Sequence, residues 1–200
     1  ANVIATAGAY QSSLGGFRDA YIVKFNPNGT RLWSTYYGGV SDDGAYGAVT
    51  DANGNIIIIG ETSSSANIAS AGAYQTTLNG TTDAFIAKFD PAGFFQWGSY
   101  FGGTGVDRAF AVENSCSNLL FFGLTNSLSG IATANTHQLA YGGGTNDGFL
   151  TLFSPNGSSV VWSTYYGGNN DEYAYFSVIG MATNSVNDAA IVGSTASTNN

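Results

Sequence analysis

Apolar and polar residues alternate with a period of two along several short segments of this chain. In the segment DAYIVKFNPNG, Tyr21, Val23 and Phe25 fall on one face, whereas Ile22 and Lys24 fall on the other. The segments DAFIAKFDPAG and DGFLTLFSPNG keep the same register, with phenylalanine at the first and third core positions. A period of two is typical of β-strands, because successive side chains point to opposite sides of a sheet. The pattern therefore predicts three equivalent strands with equivalent core faces.

These strands belong to a motif that occurs three times in the chain, at intervals of about 64 residues. After the first strand come a WSTYYGG-like segment, an acidic residue, a small and aromatic alternation (AYGAV, AFAV or AYFSV) and a short apolar run such as IIIIG. The tryptophans of the WSTYYGG-like segments are Trp33, Trp97 and Trp162. The acid that opens the first strand is Asp19, Asp83 or Asp147, and the acid after the glycine pair is Asp43, Asp107 or Glu172. The motif divides the chain into repeats at 1–66, 67–130 and 131–200.

Turn residues separate the strands of each repeat. The first two strands are joined through the NPNG sequence at 26–29 or its copies, where proline presets φ and glycine permits a positive φ. The third and fourth strands are joined through DANGN at 51–55, and the third copy of this turn is lengthened around 184–188. Each repeat is therefore predicted to form one four-stranded antiparallel meander. A polar stretch of roughly 20 residues, which carries the AYQ motif, follows the fourth strand.

A four-stranded meander repeated in tandem is typical of β-propeller blades, so the predicted fold class is all-β. The segments DAFIAKFDPAG, WSTYYGG followed by an acid, DANGN before an apolar strand, and GET, GLT or GST after it resemble the beta-propeller repeat family abbreviated SBBP. The resemblance covers nearly the whole chain. It implies a propeller in a secreted or cell-surface bacterial protein and brings no common catalytic residue with it. The third repeat departs most, since Leu152 replaces a lysine and THQ replaces AYQ.

Three repeats are fewer than the four to eight blades of typical closed propellers. The repeat phase at residue 4 matches the phase near residue 200, so we expect a whole number of repeats. Two explanations stay open. The sequence is an excerpt of a longer array, or it is a subunit that completes its ring with partner subunits. Either way, the predicted partners are further blades of the same chain or of other subunits.

The composition of the chain limits the classes of partner that it can bind. The chain carries 13 acidic and 5 basic residues, and its net charge of -8 disfavours nucleic acid, which needs clustered lysine or arginine. No apolar run reaches the roughly 18 residues of a membrane-spanning helix. Cys116 is the single cysteine, so no intrachain disulfide can form. The polar, tyrosine-rich and lysine-poor composition favours a secreted or cell-surface location.

The repeated acids raise the question of catalysis or metal binding. Asp43, Asp107 and Glu172 are weak candidates for calcium ligands, and with the acids that open the first strands they could form general acid and base pairs. Each acid lies beside a turn or strand start, where aspartate caps backbone N–H groups. A catalytic constellation is normally unique, whereas these acids recur in every repeat. We therefore expect a structural role, no catalytic residues and no cofactor.

The aromatic residues offer a second kind of candidate site. Trp33, Trp97 and Trp162 are weak candidates for sugar-stacking platforms, and packing of one blade on the next is the favoured alternative. The single histidine, His137, stands where the other repeats have Tyr10 and Tyr74, which favours a structural role for it.

The sequence thus predicts a non-enzymatic extracellular scaffold or adhesion module that binds a surface protein or a glycan. Two alternatives stay open. One is a propeller glycoside hydrolase or lyase, which needs two carboxylates about 5 to 10 Å apart in a cleft. The other is a subunit of a polymerising surface filament, in which open blade edges pair between subunits.

Overall fold

The chain folds into short antiparallel strands joined by turns and loops. The structure is a computed structural model, and it describes residues 4–173, 180–184 and 188–198. Over these ranges the regular secondary structure consists of strands, and no segment there is a helix long and apolar enough to cross a membrane. The strands are β1 (Ala20–Phe25), β2 (Arg31–Tyr37), β3 (Asp43–Thr50), β4 (Ile56–Thr62), β5 (Asp83–Phe89), β6 (Phe95–Phe101), β7 (Asp107–Ser115), β8 (Asn118–Thr125), β9 (Asp147–Phe153), β10 (Val160–Tyr166), β11 (Glu172–Tyr173), β12 (Gly180–Thr183), β13 (Ala189–Val192) and β14 (Ser194–Thr195).

Two complete four-stranded antiparallel sheets form the middle of the fold. One has the strand order β3-β4-β5-β6, and the other has the order β7-β8-β9-β10. Their registers are equivalent, since Thr62 lies opposite Asp83 in the first sheet and Thr125 lies opposite Asp147 in the second. The predicted all-β class with tandem four-stranded antiparallel blades is therefore confirmed.

The grouping of strands within a blade differs from the sequence prediction. Each four-stranded sheet joins the third and fourth strands of one repeat to the first and second strands of the next, so the meander predicted inside a single repeat is wrong in its phase. The repeat boundaries at 66/67 and 130/131 fall in long loops that connect paired strands of one sheet. By contrast, the short connection at 38–42 takes the chain from β2 to β3, which belong to different sheets.

The physical reason lies in the long loops. Residues 63–82 return the chain beside β4, because the loop is held by hydrogen bonds such as Tyr100 N–H to the Gln75 carbonyl at 3.1 Å and Ser70 N–H to the Gly98 carbonyl at 2.9 Å. A loop that packs on its own sheet costs little extra closure entropy, since that cost grows slowly with length.

The core lies between neighbouring sheets and is built from the central strands. In β4, three of the four isoleucines are buried, so both faces of the strand are covered. Buried side chains of β4, β5 and β6 meet those of β7, β8 and β9 in one apolar cluster, for example Ile57, Phe101, Phe121 and Phe149. The short apolar runs are therefore central strands enclosed on both faces, as their composition indicates.

Both ends of the described structure carry two-stranded sheets. At one end β1 pairs with β2, and at the other β12 pairs with β13 while β11 pairs with β14. In repeat position, β1 and β2 correspond to the second half of a blade, and β11 to β14 correspond to the first half. The strand predicted from AYFSV at 174–178 and the centre of the turn at 184–188 lie outside the described residues.

Candidate functional site

The acid after each glycine pair ties the end of one strand to the start of another. Asp107 is fully buried at the start of β7. One of its oxygens accepts hydrogen bonds from the Gly103 N–H and the Ser127 hydroxyl, both at 2.9 Å, and the other accepts one from the Thr125 hydroxyl. Asp43 has the equivalent three donors one repeat earlier. These carboxylates therefore accept hydrogen bonds from backbone and hydroxyl donors.

The acid that opens each first strand organises the long loop before it. Asp83 accepts hydrogen bonds from the Gln75 side chain at 2.6 Å and from the N–H groups of Asn79 and Gly80 at 2.9 Å. A β-carbon placed on Gly102 would lie only 3.0 Å from the Asp83 Cγ and 2.5 Å from the Asp107 Oδ2. The two acids of one repeat therefore meet around a glycine, which explains why each WSTYYGG-like segment ends in glycine.

Burial changes the acidity of these groups. Burial raises the pKa of Asp107 to about 6, and the hydrogen bonds from Thr125, Ser127 and Gly103 oppose the rise. The pKa of Asp83 is also raised by burial. Because a carboxylate in an apolar environment loses its hydration, the three donated hydrogen bonds are what allow it to remain there at all.

The third repeat builds this arrangement differently, because glutamate takes the place of aspartate. Glu172 accepts hydrogen bonds from the Thr195 and Ser197 hydroxyls at 2.7 Å. Asp147 is fully buried, and its Oδ1 has no hydrogen-bond partner among the described residues. Burial and, to a smaller extent, the nearby charge of Glu172 raise the pKa of Asp147 to about 6.

The candidate calcium ligands Asp43, Asp107 and Glu172 lie in three different sheets, each beside the other acid of its own repeat. Across the described ranges, no group of three or more His, Cys, Asp or Glu side chains is positioned to hold a metal ion. Each of these three acids is instead hydrogen-bonded to a threonine and a serine hydroxyl.

One charged cluster departs from the repeat pattern. Glu61, buried at the end of β4, forms ion pairs with Arg18 at 2.9 Å and with Arg108 at 2.5 Å, and it accepts a hydrogen bond from the Tyr46 hydroxyl. Burial raises the pKa of Glu61, but the hydrogen bonds from Tyr46 and Arg108 outweigh it, so that this pKa lies below its usual value. The cluster joins the loop before β1 to two successive sheets, and both arginine side chains are about half exposed.

Arg18 and Arg108 stand at repeat positions where the other copies carry no arginine, and the sequence alone does not bring them together. The available signal was Glu61 itself, whose equivalents in the GLT and GST segments are Leu124 and Ser194. A lone glutamate at a position that is otherwise uncharged indicates a local charge partner, since an unpaired charge at a buried strand end is costly.

Trp33 and Trp97 lie between successive blades. The Trp33 indole N–H donates to the Pro91 carbonyl at 3.0 Å, and its ring would lie 2.8 Å from a β-carbon on Gly93. Trp97 lies in the same way against Gly157 and stacks on Phe153 with ring centroids 6.3 Å apart. Both tryptophans therefore cover the proline-glycine turn of the following repeat.

Trp162 has a different environment. It lines an open cavity of about 570 Å³ together with His137, Leu150, Tyr166 and Ile191. The His137 and Tyr166 rings lie 5.9 Å apart at an angle of 31°. Trp162 therefore lies at an accessible, mostly apolar cavity.

Comparison with known proteins supports the architecture. No protein-family profile matches the chain. One curated relative is an uncharacterised WD repeat-containing protein of Acanthamoeba polyphaga mimivirus, which is 31% identical over 108 residues, or 51% of this chain. The chain spans only 8% of the length of that relative. Together with the tandem four-stranded sheets, this similarity supports a propeller-type repeat fold.

Proposed function

We propose that this chain is a non-enzymatic propeller scaffold that binds another protein. The observation that carries the proposal is the use of the repeated acids. In each repeat they lie buried around a glycine and accept hydrogen bonds from the backbone and from hydroxyl groups. Such acids stabilise the connections between strands. Recognition of a partner protein then falls to the loops and to the non-repeated side chains. The relative described as a WD repeat-containing protein is in keeping with a scaffold.

The partner-binding surface in this proposal is the cluster of Arg18, Glu61 and Arg108. It connects the loop before β1 to two successive sheets, and its two guanidinium groups keep N–H donors on the solvent side. Arginine is enriched in protein interfaces because its planar group makes directional hydrogen bonds to carboxylates and carbonyls. The rigid strands below the cluster fix these donors in place.

The experiment compares three baits in quantitative affinity enrichment from the source cells: the natural chain, the double variant Arg18→Ala/Arg108→Ala, and Arg31→Ala. Arg31→Ala is the control, because it removes an arginine outside the cluster. We expect a protein set enriched by the natural chain and by Arg31→Ala but lost with the double variant. Equal enrichment by all three baits contradicts the proposed surface, and turnover of a panel of chromogenic glycosides by the natural chain contradicts the non-enzymatic role.

We further propose that the protein acts outside the cell or on its surface, where its partner is a surface protein. The support is compositional, since lysine is scarce and tyrosine, serine, threonine and asparagine are abundant. Fractionation of the source culture tests this location. Recovery of the protein in the surface or culture-medium fraction is expected, and recovery within the cytosolic fraction alone contradicts it.

A further inference from the structure

The two acids of the third repeat, Asp147 and Glu172, are bonded differently from the acid pairs of the other repeats. In the second repeat, Asp83 Oδ1 accepts a hydrogen bond from the Gly80 N–H at 2.9 Å. Asp147 is fully buried, yet its Oδ1 receives no hydrogen bond from any residue that the structure describes. Because a buried carboxylate oxygen without a hydrogen bond is costly, this oxygen requires another partner.

The missing donor follows from one additional residue in the loop before β9. Gln138 and Asp147 are nine positions apart in sequence. The equivalent residues of the second repeat, Gln75 and Asp83, are eight positions apart. The longer loop contains the glycine run at 142–144, whose first N–H donates to Asp147 Oδ2 at 2.5 Å. The Gln138 side chain lies 3.4 Å from the same oxygen, compared with 2.6 Å in the second repeat. The lengthened loop therefore holds Oδ2 and leaves Oδ1 without a donor.

Glu172 brings a second carboxyl group to the unbonded oxygen. A β-carbon placed on Gly167 would lie 2.5 Å from Asp147 Oδ1 and 2.6 Å from Glu172 Oε2. In the second repeat, the nearest atom of Asp83 to a β-carbon on Gly102 is the Cγ, at 3.0 Å. Glutamate is one methylene group longer than the aspartate of the other repeats. The carboxyl groups of Asp147 and Glu172 are consequently within hydrogen-bonding distance of each other.

Segments of the described chain enclose the contact between these two acids. Asp147 is fully buried, and Glu172 is 8% exposed. The Thr195 and Ser197 hydroxyls both donate to Glu172 Oε1, which leaves Oε2 directed toward Asp147. Asp107, whose sheet is complete, has the equivalent two hydroxyl donors. The third acid pair is therefore an internal contact built from the same segments as the second.

We propose that Asp147 and Glu172 share one proton, held between Asp147 Oδ1 and Glu172 Oε2, and that this proton makes the third acid pair sensitive to pH. The proton comes from solvent water and returns to it, so no other reactant is needed. Two carboxylates at one buried site retain a proton because two adjacent negative charges repel each other. The shared proton supplies the hydrogen bond that Asp147 Oδ1 lacks. Its binding does not depend on the partner protein proposed above.

Neutral and acidic groups surround this pair. Tyr141 in the preceding loop and Tyr165 in β10 lie close enough to interact with Asp147, and burial is the main cause that raises the pKa of each tyrosine to about 12. Both tyrosines therefore stay neutral near pH 6. Asp171 accepts a hydrogen bond from the Tyr173 hydroxyl at 3.2 Å, and hydrogen bonds from the loop before β9 lower the pKa of Asp171, so it stays ionised. Among the described residues, no lysine, arginine or histidine forms an ion pair with either acid of the pair. No basic side chain there competes with a proton for the site.

The acidity of Asp147 sets the pH range of this contact. Burial and, to a smaller extent, the charge of Glu172 raise the pKa of Asp147 to about 6. The folded chain therefore holds the shared proton below that pH and loses it above. After the loss, Asp147 Oδ1 has no hydrogen bond and faces a second negative charge, whereas Asp107 keeps three donated hydrogen bonds when it is ionised. The connection at 167–171, which leads from β10 to β11 in the next sheet, is accordingly held most firmly at acidic pH.

The first test follows the carboxyl carbon chemical shifts of the purified natural chain by NMR across a pH titration. We expect the Asp147 and Glu172 signals to change together in the same two steps, because the titration steps of a shared proton belong to the pair. Glu172→Gln is expected to leave a single step at Asp147, at lower pH, and Asp147→Asn is expected to leave a single step at Glu172. Asp83→Asn is the matched control, since it alters the second acid pair and should leave the shared steps in place.

The second test compares amide hydrogen exchange at Gly168 and Gly103. Their N–H groups donate to the acid that follows, Glu172 at 3.3 Å and Asp107 at 2.9 Å. After correction for intrinsic exchange, protection at Gly168 is expected to fall about tenfold more than protection at Gly103 as the pH rises from about 5 to about 7, which corresponds to about one pKa unit of repulsion between two carboxylates. Glu172→Gln should remove this difference. Deletion of Gly143 together with Glu172→Asp restores the spacing and the acid of the second repeat, and it should remove the difference as well.

Independent titration of Asp147 and Glu172, each in a single step, overturns the proposal. So does an equal pH dependence of protection at Gly168 and Gly103. A melting temperature that calcium chloride raises at neutral pH in the natural chain, but not in Glu172→Gln, also overturns it and makes a metal ion the occupant of the pair. These measurements use the purified chain alone, so their failure is distinct from failure of the proposed partner binding.

Discussion

The second and third repeats carry the same WSTYYGG-like segment in surroundings that differ. In the second repeat, Phe101 is enclosed between β8 and β9 and contacts Phe121 and Phe149 at ring separations of 5.3 Å. In the third repeat, the equivalent Tyr166 is more than half exposed and lines an open cavity. The segment forms a strand with the same register in both cases. The difference teaches that the motif specifies the strand, whereas its burial depends on the neighbouring blade.

The acids of the two repeats differ in a parallel way. Asp107 holds donors from Thr125 and Ser127 that are themselves buried. Glu172 holds the equivalent Thr195 and Ser197, which are more accessible to solvent. The same hydrogen bonds are therefore shielded from water in the second repeat and partly exposed to water in the third.

The largest contrast is expected from removing the aromatic ring. Phe101→Ala should lower the free energy of unfolding by about 3–5 kcal/mol, because it opens a cavity in a packed core. Tyr166→Ala should lower it by less than about 1 kcal/mol in the monomer, because most of the ring is already in solvent. Urea unfolding at concentrations where the chain is monomeric measures both changes. Equal losses would show that Tyr166 is enclosed within the monomer.

The next contrast concerns the acids. Asp107→Ala should cost about 2–4 kcal/mol, because it leaves the Gly103 N–H and two buried hydroxyls without an acceptor. Glu172→Ala should cost about 1 kcal/mol, since water can replace the lost acceptor at Thr195 and Ser197. The same unfolding experiment measures these values. A larger loss of unfolding free energy for Glu172→Ala than for Asp107→Ala would contradict the difference in water access between the two sets of hydrogen bonds.

A smaller contrast is expected at the proline-glycine turns. Gly157→Ala should cost about 2–3 kcal/mol in the monomer, since it combines a positive φ with a collision against the Trp97 ring. Gly29→Ala should cost about 1 kcal/mol there, because only the positive φ is strained. Thermal or urea unfolding of the two variants measures both losses of stability. Identical losses would mean that the Trp97 ring moves aside without a cost in free energy.

A further contrast concerns pH. Asp107 and Asp147 have pKa values of about 6 in the folded chain, above the usual value of 3.8. The folded state therefore holds these protons more tightly than the unfolded state, so their contribution to stability is complete below about pH 4 and is lost as the pH rises through about 6. Asp107→Asn should flatten that part of the stability profile.

The third repeat adds a specific control for this pH dependence. Glu172→Gln should lower the pKa of Asp147, because the nearby negative charge is removed, and it should leave the pKa of Asp107 in place. Carboxyl carbon chemical shifts followed by NMR across pH 3 to 8 measure both groups. An unchanged Asp147 titration would mean that burial alone raises its pKa.

Much of the local structure could be predicted from the sequence. The period of two, the NPNG and DANGN turns and the IIIIG run correspond to strands and turns of the structure. These features depend on residues close in sequence, such as Asp51, whose side chain accepts the N–H groups of Asn53 and Asn55. Local propensity and local hydrogen bonds therefore suffice to identify them.

The parts that could not be predicted depend on distant residues. The pairing of β4 with β5 joins strands on either side of a loop that spans 63–82, so a repeat period gives the length of the unit but not its phase. The cluster around Glu61 joins residues 43 and 47 positions away, and no local pattern identifies them. The different environments of Trp97 and Trp162 also depend on a neighbouring blade rather than on the residues adjacent in sequence.

The sequence by itself determined the repeat, the strands, the turns and the glycine-ended acidic joints, because each of these is encoded by spacing within a few residues. Only the tertiary structure decided which strands share a sheet, which charges meet and which aromatic residues remain exposed. Those outcomes arise from hydrogen-bond pairing and burial between segments that are far apart along the chain. Identical heptapeptides at Trp33 and Trp162 can therefore end in different environments, one beneath the next blade and one at an open cavity.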